Sequence, residues 1–165
     1  MNARTDFVDR FGGVFEHSPW IAERAFDHGR IAEPLQANAV HQALCAEFRA
    51  ASHAERMDVL RAHPDLAGKL AISGDLTLES KSEQAGAGLD RLSAAEHARF
   101  TELNTRYMSG FGFPFIIAVK GHDKDSILSA FETRIGNDQA TEFETACAQV
   151  EKIAGFRITS LLAEM

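Results

Sequence analysis

The chain has 165 residues, 45% apolar and 25% charged, which suits one soluble globular domain with its own core. Its net charge of -7 excludes a general nucleic-acid binder, which would carry a basic face, and means that any anionic ligand must be held by a local positive group. With no hydrophobic leader, no apolar run long enough to span a bilayer and no peroxisomal tripeptide in Leu162-Ala163-Glu164-Met165, a cytoplasmic protein is expected, with Cys45 and Cys147 reduced and buried.

In chain order the pattern reads as helix after helix. Residues 5–11 form a short helix from Thr5 that Gly12-Gly13 breaks. Ser18 then suits an N-cap, with Pro19 at the first helical position, for a helix to about His28 that Gly29 ends. A long helix follows from about Glu33 to Ala51, its apolar face marked by Ala37, Val40, Leu44, Cys45 and Phe48. Ser52 with Glu55 makes a capping box for the next helix, which His63-Pro64 stops. Proline has no N–H and pushes the residue before it out of the α region, so His63 belongs at or just past the last turn. Residues 65–76 read as a loop. Thr77 opens a short helix that Gly86 and Gly88 end, and Ser93 with Glu96 opens another to about Ser109, with Phe100, Leu103, Tyr107 and Met108 as its stripe. Phe111 to Val119 is apolar but interrupted by Gly112 and Pro114. With no strand partner in sight it is expected to be a buried extended segment. Asp123 or Asp125 caps a helix to about Ile135, Gly136-Asn137 turns the chain, and a last helix runs from about Asp138 to Leu162. The expected fold is all-α: a single domain over residues 1–165, a bundle of roughly eight helices with irregular connections.

Four places could carry chemistry. The carbonyls at a helix end make a partially negative field that favours imidazolium, so His63 could donate a proton near neutral pH; equally, His-Pro is an ordinary helix stop. Ser80, Glu83 and Gln84 fall at i, i+3 and i+4 and share a helix face, offering a hydroxyl, a carboxylate and an amide to a polar ligand, or else forming a solvated first turn. Arg157 lies in register with Val150, Ile153 and Leu161 on the inward face of the last helix. A charge there needs a partner, either an internal carboxylate or an anionic ligand. In the 111–119 run, backbone N–H groups left without helical partners must bond something, and a ligand carbonyl is one candidate beside ordinary core turns. The remaining histidines (17, 28, 41, 53, 97 and 122) show no metal-ligand spacing, and no phosphate loop or dinucleotide fingerprint is present.

Taken in order, Phe15-Glu16-His17-Ser18-Pro19-Trp20, Ala62-His63-Pro64-Asp65-Leu66-Ala67-Gly68, Ser80-Lys81-Ser82-Glu83-Gln84, Leu103-Asn104 with Tyr107, Phe111-Gly112-Phe113-Pro114-Phe115, and Lys152-Ile153-Ala154 with Arg157 resemble one family over essentially the whole chain. It is that of the 2-oxo-4-hydroxy-4-carboxy-5-ureidoimidazoline (OHCU) decarboxylases, the last step from urate to allantoin. The resemblance implies an all-α fold and a cofactor-free loss of CO2 that yields (S)-allantoin. It makes His63 the catalytic acid, with Glu83 orienting it or exchanging protons with it. Pro64, Ser80, Lys81, Ser82, Glu83 and Gln84 would line the substrate site. The backbone of Phe115, Ile116, Ile117, Ala118 and Val119 would hold ureido or ring carbonyls, and Arg157 an anionic or carbonyl group. No metal is implied. The partner is the ureidoimidazoline itself, with neither nucleic acid nor membrane, and a homodimer is open. A ureido-compound hydrolase and a non-catalytic helical binding module are the alternatives. The first would need an activated water, usually on a metal.

Overall fold

The computed structural model describes residues 2–68 and 76–164. The middle of the expected 65–76 loop therefore lies outside the described residues. Among those described there are eight helices and no strand: α1 (Ala3–Phe11), α2 (Trp20–Asp27), α3 (Ala37–Ala50), α4 (His53–Ala62), α5 (Leu78–Gly86), α6 (Ala94–Phe111), α7 (Lys124–Arg134) and α8 (Gln139–Ala163). None of them is long and apolar enough to cross a membrane. The contacts divide the chain into two compact units, one of residues up to Ala62 together with those from Val150 onward, the other of His63–Gln149.

In the first unit, α1 begins at Ala3 and not near Thr5, capped by Asn2, whose side chain accepts from the Arg4 N–H. Arg4 also reaches α2, donating to both carboxylate oxygens of Asp27 at 2.7 and 2.9 Å. Gly12 cannot be replaced without movement, because a Cβ there would sit 2.5 Å from the Val8 carbonyl oxygen. The expected Ser18 cap is not made. The Ser18 hydroxyl donates backwards to the Glu16 carbonyl at 2.9 Å, and Pro19 occupies the cap position of α2. A hydroxyl placed two residues beyond a carbonyl can close a local turn instead of serving the helix ahead of it. Gly29, at φ +71°, closes α2 as its type suggests. Helix α3 starts at Ala37, four residues later than the periodicity indicates. Pro34 disfavours α geometry at Glu33, so the helix does not start there. Val40, Leu44, Cys45 and Phe48 are buried along α3, and Phe48 meets Phe15 at 5.3 Å between centroids. The capping box of α4 is present, with Ser52 and Glu55 exchanging backbone-to-side-chain bonds of 3.1 Å each. The part of α8 in this unit buries Val150, Ile153, Ala154 and Ile158.

In the second unit, α6 opens on the Ser93–Glu96 capping box and α7 on an Asp123–Ser126 box. Helix α6 buries Phe100, Leu103, Tyr107 and Phe111, whereas Met108 is 41% exposed and lies off the stripe. Gly112, at φ +80°, turns the chain out of α6. The residues after it, 113–119, are non-helical and buried, as their composition indicates. They pack around Tyr107, whose ring meets Phe113, Phe115 and Phe131 edge-on at 5.5–5.9 Å. The Tyr107 hydroxyl donates to Glu142, a carboxylate with no exposed surface. Burial first, and then the Glu142 carboxylate, push the phenol's proton affinity well above its ordinary value.

Candidate active site

His63 directly follows the last residue of α4, where the proline rule puts it, and its side chain is buried at 8% exposure with Nε2 enclosed. The segment after it is unusual. Ala67 adopts φ +53°, a left-handed conformation that costs a residue with a Cβ about 1–2 kcal/mol. Gly68 leaves no room for a side chain, because a Cβ there would lie 2.5 Å from that of Asp65. Such a loop persists only if other groups hold it. Gln84, on α5, accepts from the Ala67 N–H at 2.9 Å and donates to the Asp65 carbonyl at 3.3 Å, so one amide brackets the loop. Asn104, on α6, donates to the Leu66 carbonyl between them at 2.9 Å. Three consecutive residues behind the histidine are thus fixed by two amide side chains.

Helix α5 starts where Thr77 accepts from the Ser80 N–H at 3.2 Å. Its shielded face is the i, i+3, i+4 set: Ser80 and Gln84 are buried and Glu83 is half-buried, while Lys81 and Ser82 are exposed. The face offers a hydroxyl and a carboxylate, and the Gln84 amide is engaged with the 65–67 backbone. Pro64 is half-buried beside His63.

The Phe115–Val119 backbone is buried throughout. Arg134 Nη1 donates to the Ile116 carbonyl at 2.7 Å, Gln149 accepts from the Ala118 N–H at 2.9 Å, and the Val119 carbonyl accepts from the His122 N–H at 2.9 Å. The N–H groups of Ile117 and Val119 make no hydrogen bond with the described residues. Buried donors of this kind can take a ligand carbonyl.

Arg157 lies in the first unit and is buried at 5% exposure. The expected need for a partner is met by Glu16, whose carboxylate is 3.1 Å from Nη1. The same nitrogen approaches the Val14 carbonyl at 3.4 Å. Sequence reasoning left Glu16, Asn104, Arg134 and Gln149 without roles. The signal for Asn104 was its place between Leu103 and Tyr107 on a buried stripe, where an amide must find a bond. Glu16 stands 141 residues from Arg157, and no spacing rule connects them.

The class defined by this geometry is an all-helical protein with a histidine-centred polar site, and among the described residues no group of three metal-ligating side chains converges. A sequence model described as OHCU decarboxylase matches residues 2–159, and the chain belongs to that family of carboxy-lyases. It is 40% identical to the 2-oxo-4-hydroxy-4-carboxy-5-ureidoimidazoline decarboxylase of Haloferax volcanii over 92% of this chain and 86% of the relative. It is 36% identical to the protein of the same name from Xenopus laevis, over 94% and 87%. Among solved structures, an (S)-allantoin synthase superposes with a TM-score of 0.77 at 29% identity, over 97% of this chain and 51% of that one. An OHCU decarboxylase crystallised in the presence of (S)-allantoin superposes at 0.68 and 21% identity, a likeness of fold.

Proposed function

We infer that this chain decarboxylates 2-oxo-4-hydroxy-4-carboxy-5-ureidoimidazoline to (S)-allantoin, with residues 1–165 acting as one functional domain. The observation that carries the reading is a buried His63, at a helix end, in a loop that Gln84 and Asn104 lock, within a chain of this family. The bond from ring C4 to the carboxylate breaks and CO2 leaves. Its electron pair forms a C4–C5 double bond while the C5 imine nitrogen takes up the charge. A proton then adds at C5, and the proton that the 4-hydroxyl gives up as C4 becomes a carbonyl neutralises the ring nitrogen, so that one proton is taken up overall as CO2 leaves. The ring imine itself accepts the electrons, so the protein has to bind, orient and move protons. His63 supplies the C5 proton to one face, which sets the S configuration, and Glu83 orients it.

Ser80 and Pro64 line the same pocket, with Lys81, Ser82 and Gln84 on the neighbouring turn. The Ile117 and Val119 N–H groups receive carbonyl oxygens from the Phe115–Val119 side. Arg157 is assigned to an anionic or carbonyl group of the substrate on the resemblance alone. Two buried thiols, Cys45 and Cys147, fit a reducing compartment, and we assign the reaction to the cytoplasm, with a homodimer as the assembly to be tested by light scattering.

The deciding experiment is circular dichroism of the product after adding freshly generated substrate. Optically active allantoin formed faster than spontaneous decay is expected; racemate at the uncatalysed rate would sink the proposal. His63→Ala should stay folded and lose most turnover, and retention of near wild-type rate would remove His63 from the chemistry.

A further inference from the structure

The 115–119 segment is held by side chains that no part of the proposed chemistry uses. Ile116 through its carbonyl and Ala118 through its N–H are both bound, by Arg134 and Gln149. Residues 114–119 run without helix, turn or bend, and the N–H groups of Ile117 and Val119 are engaged by none of the described residues. Arg134 and Gln149 therefore fix the segment through residues 116 and 118 and leave the N–H groups of 117 and 119 for a ligand.

The Arg134 clamp is itself fixed. Its Nε donates to Glu142 at 3.0 Å, and its guanidinium lies 4.4 Å over the Phe115 ring. That ring is stacked on Phe131 at 4.0 Å with an 8° interplanar angle. Glu142 is in turn set by Tyr107 at 2.5 Å and by Asn137 at 3.0 Å. Arg134 Nη2 is buried and finds no hydrogen-bond partner among the described residues. Saturating its donors therefore does not explain where the guanidinium sits. The carboxylate, the ring face and the Ile116 carbonyl do. A lysine offers a point charge that could keep the ion pair, but it has no planar fork to bond Ile116 and cover the ring at once.

We propose that Arg134 is a positioning residue for substrate binding: with Gln149 it fixes the 115–119 segment that presents the Ile117 and Val119 N–H groups to the substrate's carbonyls. The inference rests on the proposed decarboxylase reading and deepens it. Positioning of this kind acts on groups that bind substrate and transition state alike, so its loss raises KM and leaves kcat.

The test uses the whole chain as Arg134→Lys and, in case that variant fails to fold, Gln149→Met, which removes the acceptor for Ala118 from a half-buried site while keeping volume. Steady-state turnover of OHCU and titration of (S)-allantoin against the 15N-labelled protein are measured for each. Both variants are expected to raise KM and the allantoin Kd by roughly tenfold while kcat stays within about twofold. At a ligand concentration near the wild-type Kd, the ligand-induced shifts of the Ile117 and Val119 amide resonances should fall several-fold. Folded variants with wild-type KM and Kd would make the clamp structural only, and a fall confined to kcat would equally overturn the proposal. A wild-type protein that turns over OHCU while the variants behave as above supports both readings. A wild-type protein that neither turns over OHCU nor binds allantoin removes the decarboxylase reading and this inference with it.

Discussion

Replacing Gln84 with Met tests whether that residue works on the loop or on the ligand. Methionine keeps the volume and removes both hydrogen bonds, so no cavity contribution enters. The stronger bond lost is that from the Ala67 N–H at 2.9 Å. Ala67 is 4% exposed, and its buried N–H would be left unmet, at a cost of about 1–3 kcal/mol. The 3.3 Å bond to the Asp65 carbonyl adds about 0.5–1 kcal/mol. For a chain of this size a total of about 2–4 kcal/mol corresponds to a fall in Tm of about 5–15 °C. Activity should fall together with stability, because Ala67 holds a left-handed conformation next to the segment that carries His63. A shift of about 1 Å in a reacting group can cost on the order of a hundredfold in rate. Thermal melting followed by far-ultraviolet circular dichroism and steady-state turnover of the same preparation give both readings. An unchanged Tm with an unchanged kcat would refute the clamp, and an unchanged Tm with a raised KM alone would make Gln84 a ligand contact.

Four further outcomes are expected. Gly68→Ala forces its Cβ to within 2.5 Å of the Asp65 Cβ, so the loop must move, and a loss of about 1–3 kcal/mol in urea unfolding together with a fall in turnover should follow; a fully active, equally stable variant would contradict the geometry. Arg157→Met takes the guanidinium away from the buried Glu16 carboxylate and should cost about 3–5 kcal/mol. Adding Glu16→Gln should restore most of that stability but not the turnover, and recovery of both would make Arg157 purely structural. The Arg24 hydrogen bond first, and then the Ser52 N–H, hold the Glu55 carboxyl down at about 2 against an ordinary 4.5. A depressed carboxylate contributes stability above its unfolded value and loses it as pH falls through the folded one. Glu55→Gln should therefore flatten the stability profile between about pH 4.5 and 2, and a parallel profile would argue against the pairing. Burial pushes the Cys45 thiol up to about 12, so native protein at pH 8 should resist iodoacetamide at that residue until it is unfolded, as peptide mass mapping would show.

What could be read from the sequence was whatever depends on neighbours along the chain. The stop at His63-Pro64, the boxes at Ser52 and Ser93, the turn at Gly29 and the buried run to Val119 all follow from local sterics, local hydrogen bonding or composition, and each stands where those rules put it. Ser18 and Glu33 went wrong through local competition. The first had a nearer acceptor in the Glu16 carbonyl, and the second preceded a proline. At the candidate site, helical spacing was enough to put Ser80, Glu83 and Gln84 on one face. It could not say what that face meets, so the bracket from Gln84 to Asp65 and Ala67 was invisible. The partner of Arg157 and the Arg134–Glu142–Tyr107 chain depend on contacts between distant segments, for which one sequence has no spacing rule.

The division of the chain into two units has a consequence for synthesis. Residues 63–149 form a contiguous unit and can gather their contacts as soon as they leave the ribosome. The other unit is interrupted: its opening helices need Glu151 for Arg49 and for the His41 ring, and Arg157 for Glu16. At about 5–20 residues per second, those helices wait on the order of ten seconds for their missing members. During that interval Arg49, the His41 ring and Glu16 lack the partners that the last helix brings. Of the two units, the one begun first is therefore completed last, and it is the one on which chaperones have longer to act.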